Sequence, residues 1–93
     1  MAGRLPYVWD YDIDADQFRE ILAGRLTIGP LDRRWAAVRL IEYAPYDEII
    51  RQLGFRNLIE GWSEWRRHVK SDGRRRGFDF LVEWLPQHHP ELL

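Results

Sequence analysis

Glycine and proline cut this chain into pieces that can hold only short helices. Apolar residues at helical spacing run as far as Gly24, resume after Pro30, break at Pro45, run on to Gly54 and stop at Pro86. Glycine accepts the left-handed backbone that often closes a helix. Proline lacks the amide that an interior turn needs. Between these breaks the pattern is explicit. Phe18, Ile21 and Leu22 stand at i, i+3, i+4 and predict a first helix over 15–23. A second should begin near Leu31 or Asp32 and reach residue 43, with Trp35, Val38, Leu40 and Ile41 giving it a broad apolar side and hence a central place. Pro45 suits the first position of a third helix, with Asp47 and Glu48 in its first turn and Ile49, Ile50 and Leu53 facing inward; Gly54 should end it and Phe55 fold back on its last turn. "LIEGWSEWRRHV", residues 58–69, reads as one helix interrupted at Gly61, or as two short turns with Ser63 capping the second. A last helix runs from Asp72 or Arg74 to Leu85 on a stripe of Phe78, Leu81, Val82 and Leu85, and Pro86 is expected to stop it.

The expected class is therefore all-α: a compact bundle of about five short helices in one domain, 1–93. Residues 1–13 should form an extended arm, since Pro6 disfavours helix at Leu5 and Val8 and aromatics follow, with Trp9 as its anchor. Residues 86–93 should be a tail. Cysteine is absent, which excludes disulfides, thiolate zinc sites and thiol nucleophiles. Five tryptophans supply large areas to a small core, or mark a partner surface. Without a disulfide, a signal peptide or an apolar run of ~20 residues, the expected place is the cytoplasm, away from membranes.

"DYDIDADQ", residues 10–17, sets aspartate at every second position. A calcium loop needs glycine at its sixth position and glutamate at its twelfth. Counted from Asp10 these are Ala15 and Ile21; from Asp12 they are Gln17 and Ala23. The Asp-x-Asp of nucleotidyltransferases follows a Gly-Ser phosphate cradle, which is lacking here. Helix capping fits better: Asp14 and Gln17 have capping-box spacing, Ile13 and Phe18 can staple it, and Asp16 adds negative charge at the positive helix end. Asp10 and Asp12 keep no assigned role. Histidines 68, 88 and 89 lack metal-ligand spacing, Ser63 and Ser71 lack catalytic partners, and there is no glycine-rich phosphate loop. The expectation is a chain without catalytic residues, metal or cofactor.

The formal charge is −1 overall, but residues 66–76, "RRHVKSDGRRR", carry six bases and one acid. Arginines 74–76 near a helix start oppose the dipole, so an acidic segment or an anionic partner should offset them. Trp62 and Trp65 stand beside Arg66 and Arg67, and Trp and Arg are enriched in binding hot spots. Trp62, Trp65, Arg66, Arg67, Arg74, Arg75 and Arg76 are thus the candidate partner surface. Separately, "EIIRQLGF", residues 48–55, is like the first helix and turn of a helix-turn-helix. On that alternative Arg56, Asn57, Arg66, Arg67, Lys70 and Arg74 to Arg76 would meet DNA.

The order "LPYVWDYDID", "DRRWAAVRLIEYA", "YDEIIRQL", "RRRGFDFLVEWL" resembles a family of small bacterial proteins encoded beside abortive-infection-type nucleotidyltransferase toxins. The resemblance rests on Trp9, Asp10, Asp12, Trp35, Ile49, Ile50, Leu53 and the last helix. It implies a toxin as partner and an antitoxin function, with the catalytic aspartates in that partner. A helix-turn-helix protein regulating its own operon is the alternative, and self-association stays open.

Overall fold

The computed structural model describes residues 5–8 and 10–93. Five α-helices follow in order: α1 Ala15–Leu22, α2 Arg33–Tyr43, α3 Tyr46–Leu53, α4 Phe55–Trp65 and α5 Asp72–His88. Single 3-10 turns lie at Pro6–Val8, Arg66–His68 and Pro90–Leu92. The described residues contain no strand, and one antiparallel bridge, Ile28 to Leu31, closes the turn before α2. The all-α expectation holds, with five helices near the places that the apolar stripes marked.

Local chemistry sets the helix boundaries. Asp14 Oδ1 accepts from the Gln17 amide at 2.8 Å, and Gln17 Oε1 accepts from the Asp14 amide at 3.0 Å. This reciprocal pair satisfies two donors that helix geometry leaves open. Asp32 caps α2 in the same way, accepting from the Trp35 amide at 2.9 Å. Gly24 follows α1 with φ 81°, a left-handed value that side chains resist. Pro45 is the cap of α3 rather than its first helical residue.

α2 is central, as expected, and its expected apolar side is enclosed in part. It buries Ala36, Ala37, Leu40 and Ile41, while Trp35 and Val38 sit half-buried at the core's edge. Two alanines let neighbouring backbones come close, so a small face can be the most enclosed one. Around it lie Val8, Phe18, Ile21, Ile49, Leu58 and Val69, all fully buried.

Four expectations need correction. The described part of the N-terminal segment is not an extended arm: Pro6–Val8 form a 3-10 turn that buries Tyr7 and Val8. Tyr7 donates its hydroxyl to Glu48 at 3.0 Å, which ties this turn to α3. The expected anchor, Trp9, lies outside the described residues. Gly61 does not interrupt α4, which is continuous, and Ser63 lies inside it. A methyl at Gly61 would lie 2.3 Å from Cη2 of Trp65, so glycine is there to let the indole lie on its own helix. Phe55 opens α4 instead of folding back on α3. Pro86 does not end α5, which continues to His88. Pro86 lacks the amide that its turn would use, but burial of Leu85, with the His89 amide donating to its carbonyl at 2.8 Å, holds that turn.

Candidate functional site: the aromatic face of α5

α5 is apolar on two sides. One side carries Phe78 and Leu85, buried, with Leu81 and Val82 packed against the core. On the other side Phe80 is 64% exposed and stacks on Trp84, ring centres 6.3 Å apart. Trp84 in turn stacks on His88 at 4.6 Å and 11°. His88 Nδ1 lies 3.0 Å from the Trp84 carbonyl, which steadies the ring. The spacing i, i+4, i+8 makes this ladder a consequence of helix geometry.

Beside the ladder, α5 and the start of α3 enclose an open groove of about 420 Å³, lined by Tyr46, Ile49, Arg74, Gly77, Phe78, Phe80 and Leu81. Gly77 keeps it open, because a side chain there would project into empty space. Tyr46, 52% exposed, stands on one edge and stacks on Phe78 at 6.2 Å. Partial burial of its ring pushes the phenol above its ordinary pKa. Large aromatics left in water around an apolar groove are typical of contact surfaces.

The basic residues expected to form the partner patch are used inside the molecule. Trp62 and Trp65 are each 3% exposed and belong to the core, which corrects their place as surface anchors. Arg66 grips Asp79 through Nε at 2.9 Å and Nη2 at 2.8 Å, and Trp62 donates its indole N–H to the same carboxylate at 2.7 Å. Those hydrogen bonds, Arg66 first and Trp62 second, hold the Asp79 carboxyl down at about 2. Arg74 donates to the carbonyls of Ile41 and Ala44, both at 2.7 Å, and so closes the C-terminus of α2. Arg75 bonds the Val69 carbonyl and Asp72. The offset expected for arginines at a helix start is, for Arg74 and Arg75, internal: carbonyls and Asp72. Arg67 reaches the Glu64 carbonyl, and Arg76 is exposed.

The residues of the DNA reading are dispersed. Arg56 pairs with Glu60, and the Asn57 amide donates to the Leu53 carbonyl. Lys70 uses its backbone amide on Glu42. Only Gly54 separates α3 from α4, whereas a helix-turn-helix places three or four residues there.

Asp10 has a structural place. Its oxygens accept from both Arg39 terminal nitrogens at 2.9 and 3.3 Å, and the Arg39 guanidinium lies over Tyr11, Trp35 and Tyr43. Among the described residues no three His, Asp or Glu side chains are grouped to hold a metal ion, and no helix is long and apolar enough to cross a membrane. Glu48 is the most enclosed acid near α3. Burial pushes it up, but hydrogen bonds from Gln52, Tyr7 and Arg51 outweigh burial and hold it below its usual value.

Phe80, Trp84 and Tyr46 are the site residues that sequence reading passed over. The signal was present: Phe80 and Trp84 are four apart, on the opposite side of the helix from Phe78 and Leu85. No protein-family model, curated protein or solved structure matches the chain.

Proposed function

We propose that this chain is a non-catalytic protein-binding module that neutralises a nucleotidyltransferase-type toxin by covering part of its surface. One observation carries the binding role: α5 turns Phe80 to solvent beside the Tyr46 groove, with half-buried Trp84 stacked behind it, although the other side of the helix already supplies the core. A groove of this size accepts one or two large apolar side chains from a partner, and exposed aromatics lose little conformational freedom on binding. The class of partner rests on the sequence resemblance to antitoxin-like proteins. DNA binding is the weaker reading, because most bases assigned to it already bond within the chain and the turn between α3 and α4 is too short.

Co-expression with a nucleotidyltransferase encoded beside the gene tests this. Wild type restores growth. Phe80→Asp keeps its circular dichroism and melting temperature, since the side chain is mostly in water, yet fails to restore growth. A folded Phe80→Asp that rescues fully moves the interface elsewhere. A wild type that fails to rescue removes the toxin partner. A salt-sensitive shift of the operon's own DNA by the purified chain would favour the DNA reading instead.

A further inference from the structure

A second feature lies in a different groove and does not depend on that proposal. Four arginines converge on one groove of about 700 Å³: Arg19 from the last turn of α1, Arg25 just beyond it, Arg33 from the start of α2 and Arg51 from the last turn of α3. Leu22, Ala23 and Leu53 form apolar wall, and Gln52 and Asn57 complete the lining. Among the described residues no acid lines it.

Helix electrostatics explain part of this. A cation in the last turn of α1 or α3 answers the negative helix end. That reason does not extend to Arg33, which opens a helix, nor to the meeting of four guanidiniums from separate elements. Arg33 is held in place: Nε donates to the Leu22 carbonyl at 3.2 Å and the guanidinium lies 5.5 Å over Trp65. Among the described residues no carboxylate pairs with it. Arg19, Arg25 and Arg51 pair with Asp16, Glu20 and Glu48, none of which lines the groove. Each pair engages one guanidinium nitrogen, and five N–H donors belong to every guanidinium. The Arg19 and Arg25 pairs lie largely in water, their arginine side chains being 57% and 68% exposed, and such pairs are weak; Arg51 is itself 71% exposed although its partner Glu48 is mostly enclosed.

We infer that this groove binds an oligophosphate, the di- or triphosphate chain of a nucleotide or the same chain as an inorganic salt, through Arg19, Arg25, Arg33 and Arg51. Guanidinium matches phosphate oxygens two at a time, and several converging guanidiniums select a chain of phosphates over a single one. Nucleic acid fits less well. Among the described residues no aromatic side chain lines the groove to stack a base, and a formal charge of −1 gives the chain no extended basic track.

Calorimetric titration of the full chain with inorganic tripolyphosphate, ATP, AMP and orthophosphate tests the inference. Tripolyphosphate and ATP should bind with similar affinity and raise the melting temperature, with AMP and orthophosphate far weaker. Arg25→Ala and Arg51→Ala should each fold normally and weaken tripolyphosphate by roughly tenfold, the loss expected for a charge-assisted contact. Arg56→Ala, outside the groove, should bind as wild type. The inference is overturned if tripolyphosphate does not saturate, if both groove variants bind unchanged, or if ATP binds and tripolyphosphate does not. A single-stranded oligonucleotide that displaces tripolyphosphate at lower concentration than ATP does would assign the groove to nucleic acid instead.

Discussion

Replacing Gly61 by alanine sets two forces of known size against each other. In a helix interior alanine is better than glycine by about 1 kcal/mol, so helix propensity alone predicts a more stable protein. Packing predicts the reverse. A methyl at residue 61 would lie 2.3, 2.4 and 2.6 Å from three atoms of the Trp65 ring, well inside van der Waals contact. The ring cannot swing into water without loss, because Trp65 is 3% exposed and carries Arg33 on its face. Forcing a methyl into a packed site costs about 1–3 kcal/mol, and contacts this short belong at the upper end. The net expectation is a loss of about 1–2 kcal/mol, or a melting temperature lower by roughly 5–15 °C in a domain of this size.

Urea denaturation of Gly61→Ala measures that loss, and a second background isolates its cause. With Trp65→Leu in place the ring is gone and the propensity gain should emerge. There Gly61→Ala should raise stability by about 0.5–1 kcal/mol. The reversal of sign, a coupling of roughly 2–3 kcal/mol, is the signature of the ring contact. If Gly61→Ala is as stable as wild type, or shifts both backgrounds in the same direction, the account of Gly61 is refuted.

Two further outcomes follow from the polar contacts. Asp14→Ala should cost about 0.5–2 kcal/mol in thermal melts and Asp14→Asn much less, while Ca²⁺ or Mg²⁺ should leave the wild-type melting temperature unchanged; a metal-dependent rise would contradict a capping role. Asp79 is held at about 2 in the fold against about 3.9 in an unfolded chain, so its contribution is complete above the unfolded value and is lost as pH falls from about 4 to 2. Asp79→Asn keeps an acceptor for Trp62 but not the charge, so stability measured in urea across that window should fall less steeply than in wild type. The effect is reduced by solvent, the side chain being 37% exposed, and equal slopes would show that the pairing with Arg66 contributes nothing.

Helix ends were more legible in the sequence than helix interiors. The capping box at Asp14 and the turn at Gly24 depend on side chains within a few residues of one another, which spacing displays directly. Gly61 and Pro86 misled because their effect depends on what surrounds them. Gly61 serves an indole four residues away, and Pro86 stands in a last turn that the buried Leu85 and the His89 amide hold. The N-terminal turn was illegible for a similar reason. Nothing near Tyr7 in the sequence announces Glu48, its partner 41 residues on. At the candidate site, the inward stripe of α5 drew attention to Phe78 and Leu85 and away from exposed Phe80 and the half-buried Trp84 that it stacks on.

The basic residues were misjudged because arginine was read as surface charge. With 31% of its residues charged, the chain uses several arginines to join segments distant in sequence. Arg39 binds Asp10 across 29 positions, Arg74 caps the end of α2 across 33, and Arg66 joins α4 to α5 through Asp79. A planar guanidinium suits this work, since it can meet two acceptors at once while its stem covers apolar surface. Each arginine committed in this way leaves less charge for a partner to read. That is why the candidate contact surface is aromatic, while four arginines gather around the groove between α1, α2 and α3. There the Arg19 and Arg25 pairs are exposed and Arg33 has no carboxylate among the described residues. Partner binding and anion binding are thus proposed for different grooves, and Phe80→Asp and Arg25→Ala should separate them. Each variant should lose one activity and keep the other.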